Sequence, residues 1–346
     1  MTKVYVGMSG GVDSSLTAAL LVEQGYEVTG VYMKNWTQDL PGMKCPWADD
    51  LADAKRVATQ LGIDFKVFDF ETEYKQKVVD YMIDEYKLGR TPNPDIMCNQ
   101  EVKFKIFLET ALEDGADMIA TGHYARVADG KLLQAVDTNK DQTYFLYRVT
   151  GEALTKTLFP LGEYTKPVVR EMAKERGLFT AAKKDSQGIC FVGQIGIREF
   201  LSQYVEQSAG SIIDKQTGKV LGQHDGAIFY TIGQRHGLDV GGGLPYYVVG
   251  KDMDKNEVYV TTNLNDESLW RPELTLTSAH WINETPKEGD YQIRVRHRAT
   301  LMTTHLTFDT NGGVGLQLQA AERAVAPGQS VVIYDGLRCI GGGIIA

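Results

Sequence analysis

The sequence predicts an α/β protein: a doubly wound parallel sheet, followed by a small central β domain and a C-terminal β-barrel-like domain. Three observations carry this expectation. Strand and helix patterns alternate through the first half of the chain. A short β-branched and aromatic run, Lys3 to Met8, feeds a Gly-containing loop and then a helix, the order of an anion-binding βα unit. Around Gly210 helical spacing gives way to short β runs separated by Gly, Asp and Asn. The 346 residues exceed one usual core, and the expected units are 1–207, 208–270 and 271–346.

In chain order, Lys3–Met8 reads as a buried strand, and Leu16, Ala19 and Leu20 fall at helical spacing after it. Strands are expected at Glu27–Met33, Asp64–Phe70 and Asp117–Thr121, with a helix over about Ala48–Leu61. Tyr74, Val78, Tyr81 and Met82 mark the next helix, and Phe104, Phe107, Leu108 and Ala111 the one after. Beyond Gly210 the expected strands are Ile212–Ile213, Ala227–Ile232, Tyr246–Val249 and Glu257–Thr261, then Tyr291–Ala299, Met302–Phe308, Val314–Leu318 and Ser330–Tyr334. Asp252–Asn256 has the outline of a calcium loop, but Glu257 stands where glycine is required, so it reads as a hairpin turn.

Composition narrows the class. Hydrophobic content of 43% and charged content of 23% suit a soluble globular protein, and no apolar run approaches the roughly 18 residues of a membrane span. The first strand starts so early that a signal peptide is not expected, which favours the cytoplasm. A net charge of −9 argues on average against nucleic acid, although local patches decide that question. The nearest pair of the four cysteines, Cys45 and Cys98, are 53 residues apart, so no metal-ligand spacing is present and no protein-held metal is expected.

Three stretches carry chemistry. In Ser9-Gly-Gly-Val-Asp-Ser-Ser15 the glycines turn backbone N–H groups toward an anion, a helix beginning near Val12 aims its dipole there, and hydroxyls add donors. The loop is neither a Walker A motif nor Gly-x-Gly-x-x-Gly. Ligands of parallel sheets sit beyond the carboxyl ends of strands, so Met33 and Gly122 are expected to flank the bound ligand. The second stretch is Gly89-Arg-Thr-Pro-Asn-Pro-Asp-Ile-Met-Cys98-Asn99. Its prolines stiffen the loop, Asn99 is an expected helix N-cap, and Cys98 would then lie at a helix N-terminus, which favours a thiolate. Asp95 is a candidate acid or base there. The third is Lys183-Lys-Asp-Ser-Gln-Gly-Ile-Cys190, in which two lysines could favour the thiolate of Cys190. Taken alone, either cysteine reads as a buried structural residue rather than a reactive thiol.

Together the three stretches resemble the bacterial and organellar tRNA-specific 2-thiouridylases of the PP-loop ATP pyrophosphatase superfamily. The likeness extends through Thr121–Arg126, Lys140–Leu146, Tyr230–Gly237 and Ala326–Gln329, and so over nearly the whole chain. It implies ATP, with Mg2+ on its phosphates, bound by Gly7, Met8, Ser9, Gly10, Gly11, Val12, Asp13, Ser14, Met33 and Gly122. It further implies adenylation of the C2 oxygen of a tRNA wobble uridine and loss of pyrophosphate. Sulfur would then arrive as a persulfide on Cys190. Cys98 would either attack that persulfide, leaving a Cys98–Cys190 disulfide, or add to C2 as a nucleophile, with Asp95 shuttling the proton. The same resemblance gives Asn93, Pro94, Asp95, His123, Lys140, Asp141, Gln142, Arg296, His297 and Gln329 contacts to tRNA. It also implies a sulfur donor such as a cysteine desulfurase or a sulfur-relay protein, and no membrane.

Arg294, Arg296 and Arg298, if they alternate along a strand, share one face and would form a basic strip that answers the acidic net charge. A small-molecule ATP pyrophosphatase would need neither the cysteine pair nor the β domains. An iron–sulfur thiolase would show clustered cysteines, and a plain RNA-binding module would not need the Ser9–Ser15 loop.

Overall fold

The computed structural model of the chain describes residues 1–39, 45–184, 196–241, 243–310 and 312–346. Strand β1 (Lys3–Gly7) has apolar residues on both faces and is buried on both, as a central parallel strand must be. It is followed by α1 (Val12–Glu23), β2 (Glu27–Lys34), α2 (Trp47–Leu61) and β3 (Asp64–Asp69). One helix runs 71–87 (α3) and another 94–113 (α4); each contains a π-helical stretch, Lys75–Asp80 in the first and Cys98–Ile106 in the second. β4 (Met118–Ala120) returns to the sheet. A hairpin follows, β5 (Ala125–Ala128) and β6 (Lys131–Gln134), then β7 (Thr157–Leu158) and α5 (Lys166–Glu175). The sheet order is β3-β2-β1-β4-β7, every neighbour parallel.

Alternation along β1 sends its side chains into two cores. Val4 and Val6 pack with Ala18 and Leu21 of α1 and Ala54 and Val57 of α2. Tyr5 packs on the other face with Tyr74, Val78 and Phe107 of α3 and α4. This is the doubly wound architecture expected from the alternation. Its crevice lies beyond Gly7, Lys34 and Ala120, where the strands end.

The second sheet comprises β8 (Gly210–Asp214), β9 (Val220–His224), β10 (Tyr247–Asp252) and β11 (Glu257–Thr261), in the order β10-β11-β8-β9. The Asp252–Asn256 hairpin turn is present; the Asp252 carboxylate accepts from the N–H groups of Asp254 and Lys255. The expected strand at Ala227–Ile232 is instead a short 3-10 turn at Ala227–Phe229, preceded by Gly226 at φ +147°. Strands β12 (Trp270–Trp281), β13 (Gly289–Arg294), β14 (Met302–Phe308), β15 (Val314–Arg323), β16 (Ser330–Asp335) and β17 (Arg338–Ile345) form a barrel that closes by pairing of β12 with β17. Leu274, Leu276, Ile293, Leu306, Leu316 and Ile333 fill it.

The β5–β6 hairpin was not legible in the sequence. It leaves the first unit and adds to the barrel sheet through Cys339↔Leu132 and Arg338↔Leu133. Beside that seam Arg294 reaches into the first unit and meets Asp141 at 2.9 Å, both nearly inaccessible. Asp141 also accepts from the Ala135 amide and the Thr143 hydroxyl. Removing one member of a buried pair strands the other, so Arg294→Met should cost about 3–5 kcal/mol. Arg294→Met with Asp141→Asn should cost less than the sum of the two single changes. Urea midpoints of the three variants check this.

Candidate active site and nucleic-acid interface

The loop after β1 presents a helix end with no side-chain cap: Gly11 occupies the N-cap of α1 at φ −92°. The Ser14 and Ser15 hydroxyls both donate to the Gly11 carbonyl, at 3.2 and 2.7 Å, and the Ser9 amide donates to Ser14 Oγ at 3.1 Å. The hydroxyls thus shape the loop, and the first-turn amides point outward from a positive helix end.

The two glycines differ. Gly10 has φ +72°, and a Cβ there would sit 2.5 Å from the Asp50 carbonyl oxygen of α2. Gly11 has an ordinary φ, and its Cβ would meet only Ser9 Oγ at 3.6 Å. Gly10→Ala should therefore damage the loop itself. Gly11→Val should keep the wild-type thermal midpoint and yet lose ATP-dependent pyrophosphate release, because its branched side chain enters only the space an anion would fill. Calorimetry alongside a pyrophosphate assay separates the two; equal pyrophosphate release by Gly11→Val would remove the loop from nucleotide binding.

Gly122 touches the same helix end: a Cβ on it would lie 2.9 Å from Ser14 N and from the Asp13 carbonyl carbon. The Met33 side chain rests on Gly7 from the other side, its Cε 2.9 Å from where a Cβ would be. Loop, Met33 and Gly122 thus surround one crevice. Met8 and Val12 are buried, and Met8 turns its sulfur toward Gly30, so only its backbone faces that crevice.

The sequence puts Asp13 in the cradle without naming its partners. Lys166, itself buried at the first turn of α5, holds both carboxylate oxygens at 2.7 and 2.8 Å, and the Tyr124 hydroxyl donates to Oδ1 at 2.8 Å. A cation at the positive end of a helix is electrostatically misplaced, and that was the signal available in the sequence. With both oxygens engaged, Asp13 does not fit a protein-held metal. Among the described residues no cluster of three His, Cys, Asp or Glu could hold one either.

Helix α4 corrects the expected capping. Asn93, not Asn99, is the N-cap: its Oδ1 accepts from Asp95 N at 3.1 Å and Ile96 N at 3.3 Å, with Pro94 at the first helical position. Asn99 lies inside the helix and donates through Nδ2 to the Phe145 carbonyl. Cys98 is thus about one turn beyond the helix end, buried at 5% exposure, where the dipole field has largely decayed. The helix-end reason for a reactive thiolate therefore does not hold for it. Asp95 lies three residues before Cys98, one turn away on the same side. Burial pushes its carboxyl above the ordinary value, against the opposing charge of Lys103. Cys190 falls outside the described residues. Lys183, assigned to favour its thiolate, spends its charge on Asp50 and Asp53 of α2, at 2.9 and 2.8 Å.

Apart from Pro94 and Asp95, in the first turn of α4, the residues assigned to tRNA divide into two groups. Asn93, Arg296, His297 and Gln329 line one cleft of about 160 Å³ between α4 and the barrel, with Pro92 and Tyr144. Burial pushes His297 down to about 4, and its ring lies 4.5 Å from that of Phe145. His123, Asp141 and Gln142 instead turn inward. His123 is buried between Phe104 and Phe159, its Nδ1 on the Thr121 hydroxyl, and burial holds its pKa well below the usual value. Asp141 serves Arg294, and the Gln142 side chain accepts from the Tyr124 amide. Lys140 stands half-exposed beside them.

The basic strip is not formed. β13 ends at Arg294, and Arg298 has φ +62° in a turn, so the three arginines diverge. Arg294 points into the Asp141 pair. Arg296 binds Glu322 and the carbonyls of Arg323 and Ala324, and Arg298 donates to the Asn139 carbonyl.

An uncapped glycine loop at the switch point of a parallel sheet, joined to two β units, is the architecture of an α/β nucleotide-binding protein with an appended barrel. Residues 2–194 match the tRNA methyl transferase HUP domain, residues 198–262 the tRNA methyl transferase PRC-barrel domain, and residues 271–345 the aminomethyltransferase beta-barrel domain. The chain is 48% identical to tRNA-specific 2-thiouridylases of Bacillus cytotoxicus and Bacillus anthracis, over 99% of its length and 94% of theirs. A U34-tRNA thiolase structure from Methanococcus maripaludis is 18% identical, covers 59% of this chain and 65% of its own, and has a TM-score of 0.38. The chain belongs to the tRNA-specific 2-thiouridylase family.

Proposed function

We propose that this chain carries out ATP-dependent 2-thiolation of the wobble uridine of tRNA. The observation that carries the reading is the uncapped Ser9–Ser14 loop, enclosed by Met33 and Gly122, in a chain 48% identical to 2-thiouridylases along almost its whole length. The C2 oxygen of uridine attacks the α-phosphorus of ATP, the bond to the β-phosphate oxygen breaks, and pyrophosphate leaves into the loop. The first-turn amides of α1 meet its charge as it departs. Mg2+ would accompany the phosphates and neutralise part of their charge.

Sulfur is carried as a persulfide on Cys190, loaded by a donor such as a cysteine desulfurase or a relay protein. In one route the Cys98 thiolate attacks Sγ of Cys190. A Cys98–Cys190 disulfide forms, hydrosulfide leaves and adds to C2, and AMP departs; a dithiol reductant then restores both thiols. In the other, the Cys98 thiolate adds to C2 and AMP departs. The terminal sulfur of the Cys190 persulfide then displaces Cys98 from C2, and Cys98 attacks Sγ of Cys190, freeing the 2-thiouridine and leaving the same disulfide for the reductant. Asp95, with its raised pKa, moves the proton in either route. The cleft of Asn93, Arg296, His297 and Gln329 takes the anticodon arm with the base turned out of its stack.

On this reading 1–207 is the catalytic unit, 208–270 the central unit and 271–346 the tRNA-binding barrel. Such an enzyme works where ATP and tRNA are, in the cytoplasm; among the described residues no helix is long and apolar enough to cross a membrane. The test is incubation with ATP, tRNA and a persulfide source, followed by nucleoside mass spectrometry. 2-Thiouridine that forms only when ATP is present is expected, and its absence from the complete mixture would overturn the proposal.

A further inference from the structure

We propose that the barrel turn 326–329 is a positioning device for catalysis: it clasps the loop 89–93 and so fixes the start of the helix that carries Asp95 and Cys98. The roles of those two residues rest on the function proposed above; the clasp itself rests on geometry. The Thr91 amide donates to the Pro327 carbonyl at 2.8 Å, a backbone bond between residues 236 positions apart. Gly328, next in the turn, has φ +87°, and a Cβ on it would lie 2.8 Å from Thr91 N and 2.8 Å from Arg90 Cβ. Backbone meets backbone there, and only glycine allows the approach. Gly328 is itself held, its N–H donating to the Ile345 carbonyl of β17.

The central unit grips the other side of the loop. Thr231 Oγ1 lies 3.2 Å from Thr91 Oγ1, and a Cβ on Gly89 would sit 2.9 Å from Met253 Cγ. Two residues beyond Thr91 comes Asn93, whose side chain caps α4. A four-residue path therefore runs from the barrel turn to the helix N-terminus, with Pro92 and Pro94 stiffening it. A surface for RNA alone would need no such backbone seam. With it, displacement of the barrel shifts the Asn93 cap and, through it, Asp95. The barrel then contributes to chemistry, not only to binding.

The full-length chain serves as the test, with Gly328→Ala compared to Gly336→Ala. Gly336 also has a positive φ, +57°, but nothing lies within 4 Å of its would-be Cβ, so it carries backbone strain without the seam. Hydrogen exchange followed by mass spectrometry is read at 91–98 and at 7–15. In Gly328→Ala exchange at 91–98 should rise about tenfold while 7–15 is unchanged, and Gly336→Ala should match the wild type at both. At saturating tRNA, kcat for 2-thiouridine should fall about tenfold in Gly328→Ala, with KM for tRNA within about threefold. Unchanged exchange at 91–98, or an equal rise in Gly336→Ala, would overturn the clasp. So would a change confined to KM. Should Gly328→Ala not fold, Thr231→Val decides: it removes one hydroxyl, and exchange at 91–93 should rise about threefold if the loop is clasped and stay unchanged if not. A wild-type protein that makes no 2-thiouridine would defeat the proposed function, while the exchange comparison still judges the clasp.

Discussion

A Cys98→Ser protein should release pyrophosphate in a single turnover with ATP and tRNA but form no 2-thiouridine, a loss of about a thousandfold or more. The two activities separate because they lie on different elements. The phosphate loop belongs to β1 and α1, whereas Cys98 sits one turn into α4. The other two described thiols are controls. Burial pushes the Cys339 thiol far up at the hairpin seam, and the Cys45 thiol is also raised by burial, with its Sγ donating to the Trp36 carbonyl. Cys45→Ala and Cys339→Ala should keep thiolation. Asp95→Asn offers a second signature. Its folded pKa is raised, so the carboxyl contributes stability below the ordinary carboxylate pKa, and that contribution is lost as pH rises through the raised value. Asn carries no charge to bury, so relative to wild type the variant should gain stability toward neutral pH while losing thiolation. Single-turnover quench with parallel pyrophosphate and nucleoside detection is the measurement. Thiolation at the wild-type rate by Cys98→Ser would leave Cys190 as the sole sulfur-handling thiol.

What could be read in the sequence was what depends on near neighbours. The Ser9–Ser15 segment is seven consecutive residues running from a strand end into a helix, and the placement of Met33 and Gly122 beside it follows from where parallel strands end. The barrel strands announce themselves by alternation. Two errors came from turn chemistry. The arginine strip assumed that β13 continued to Ala299, but the chain turns after Arg294, and Arg298 adopts a left-handed conformation that no strand contains. Asn99 reads as a cap from the residues after it, but Pro94, suited to the first helical position, marks Asn93 instead.

A lysine at a helix N-terminus signals that it needs an anionic partner, but which residues pair across the chain is not readable. Lys166 reaches Asp13 across 153 residues, and Arg294 reaches Asp141 across another 153. Spacing carries no trace of either pair. The resemblance gives Asp141 a contact to tRNA, but its carboxylate is buried and spent on Arg294, holding the barrel to the first unit.

Lys166→Met should weaken ATP binding by about ten- to a hundredfold, the size of a charge-assisted interaction of 1.5–3 kcal/mol. In the wild-type protein the ammonium satisfies both oxygens of Asp13, so the only carboxylate in the phosphate loop faces the crevice neutralised. Methionine fills the same buried space without the charge and leaves Asp13 opposing the phosphates. Asp13 is about a third exposed, so water offsets part of the cost to folding, and the larger effect falls on the anionic ligand. Three comparisons separate this from simple damage. AMP has less charge to repel and should lose less affinity than ATP. Added salt should narrow the gap between variant and wild type, since exposed charges are screened. Finally, Asp13→Asn in the Lys166→Met background should restore most of the ATP affinity, because it removes the charge that the lysine was holding. Isothermal titration of the three proteins with ATP and AMP gives each value directly. Equal ATP affinity in wild type and Lys166→Met would show that the Asp13–Lys166 pair serves the fold alone.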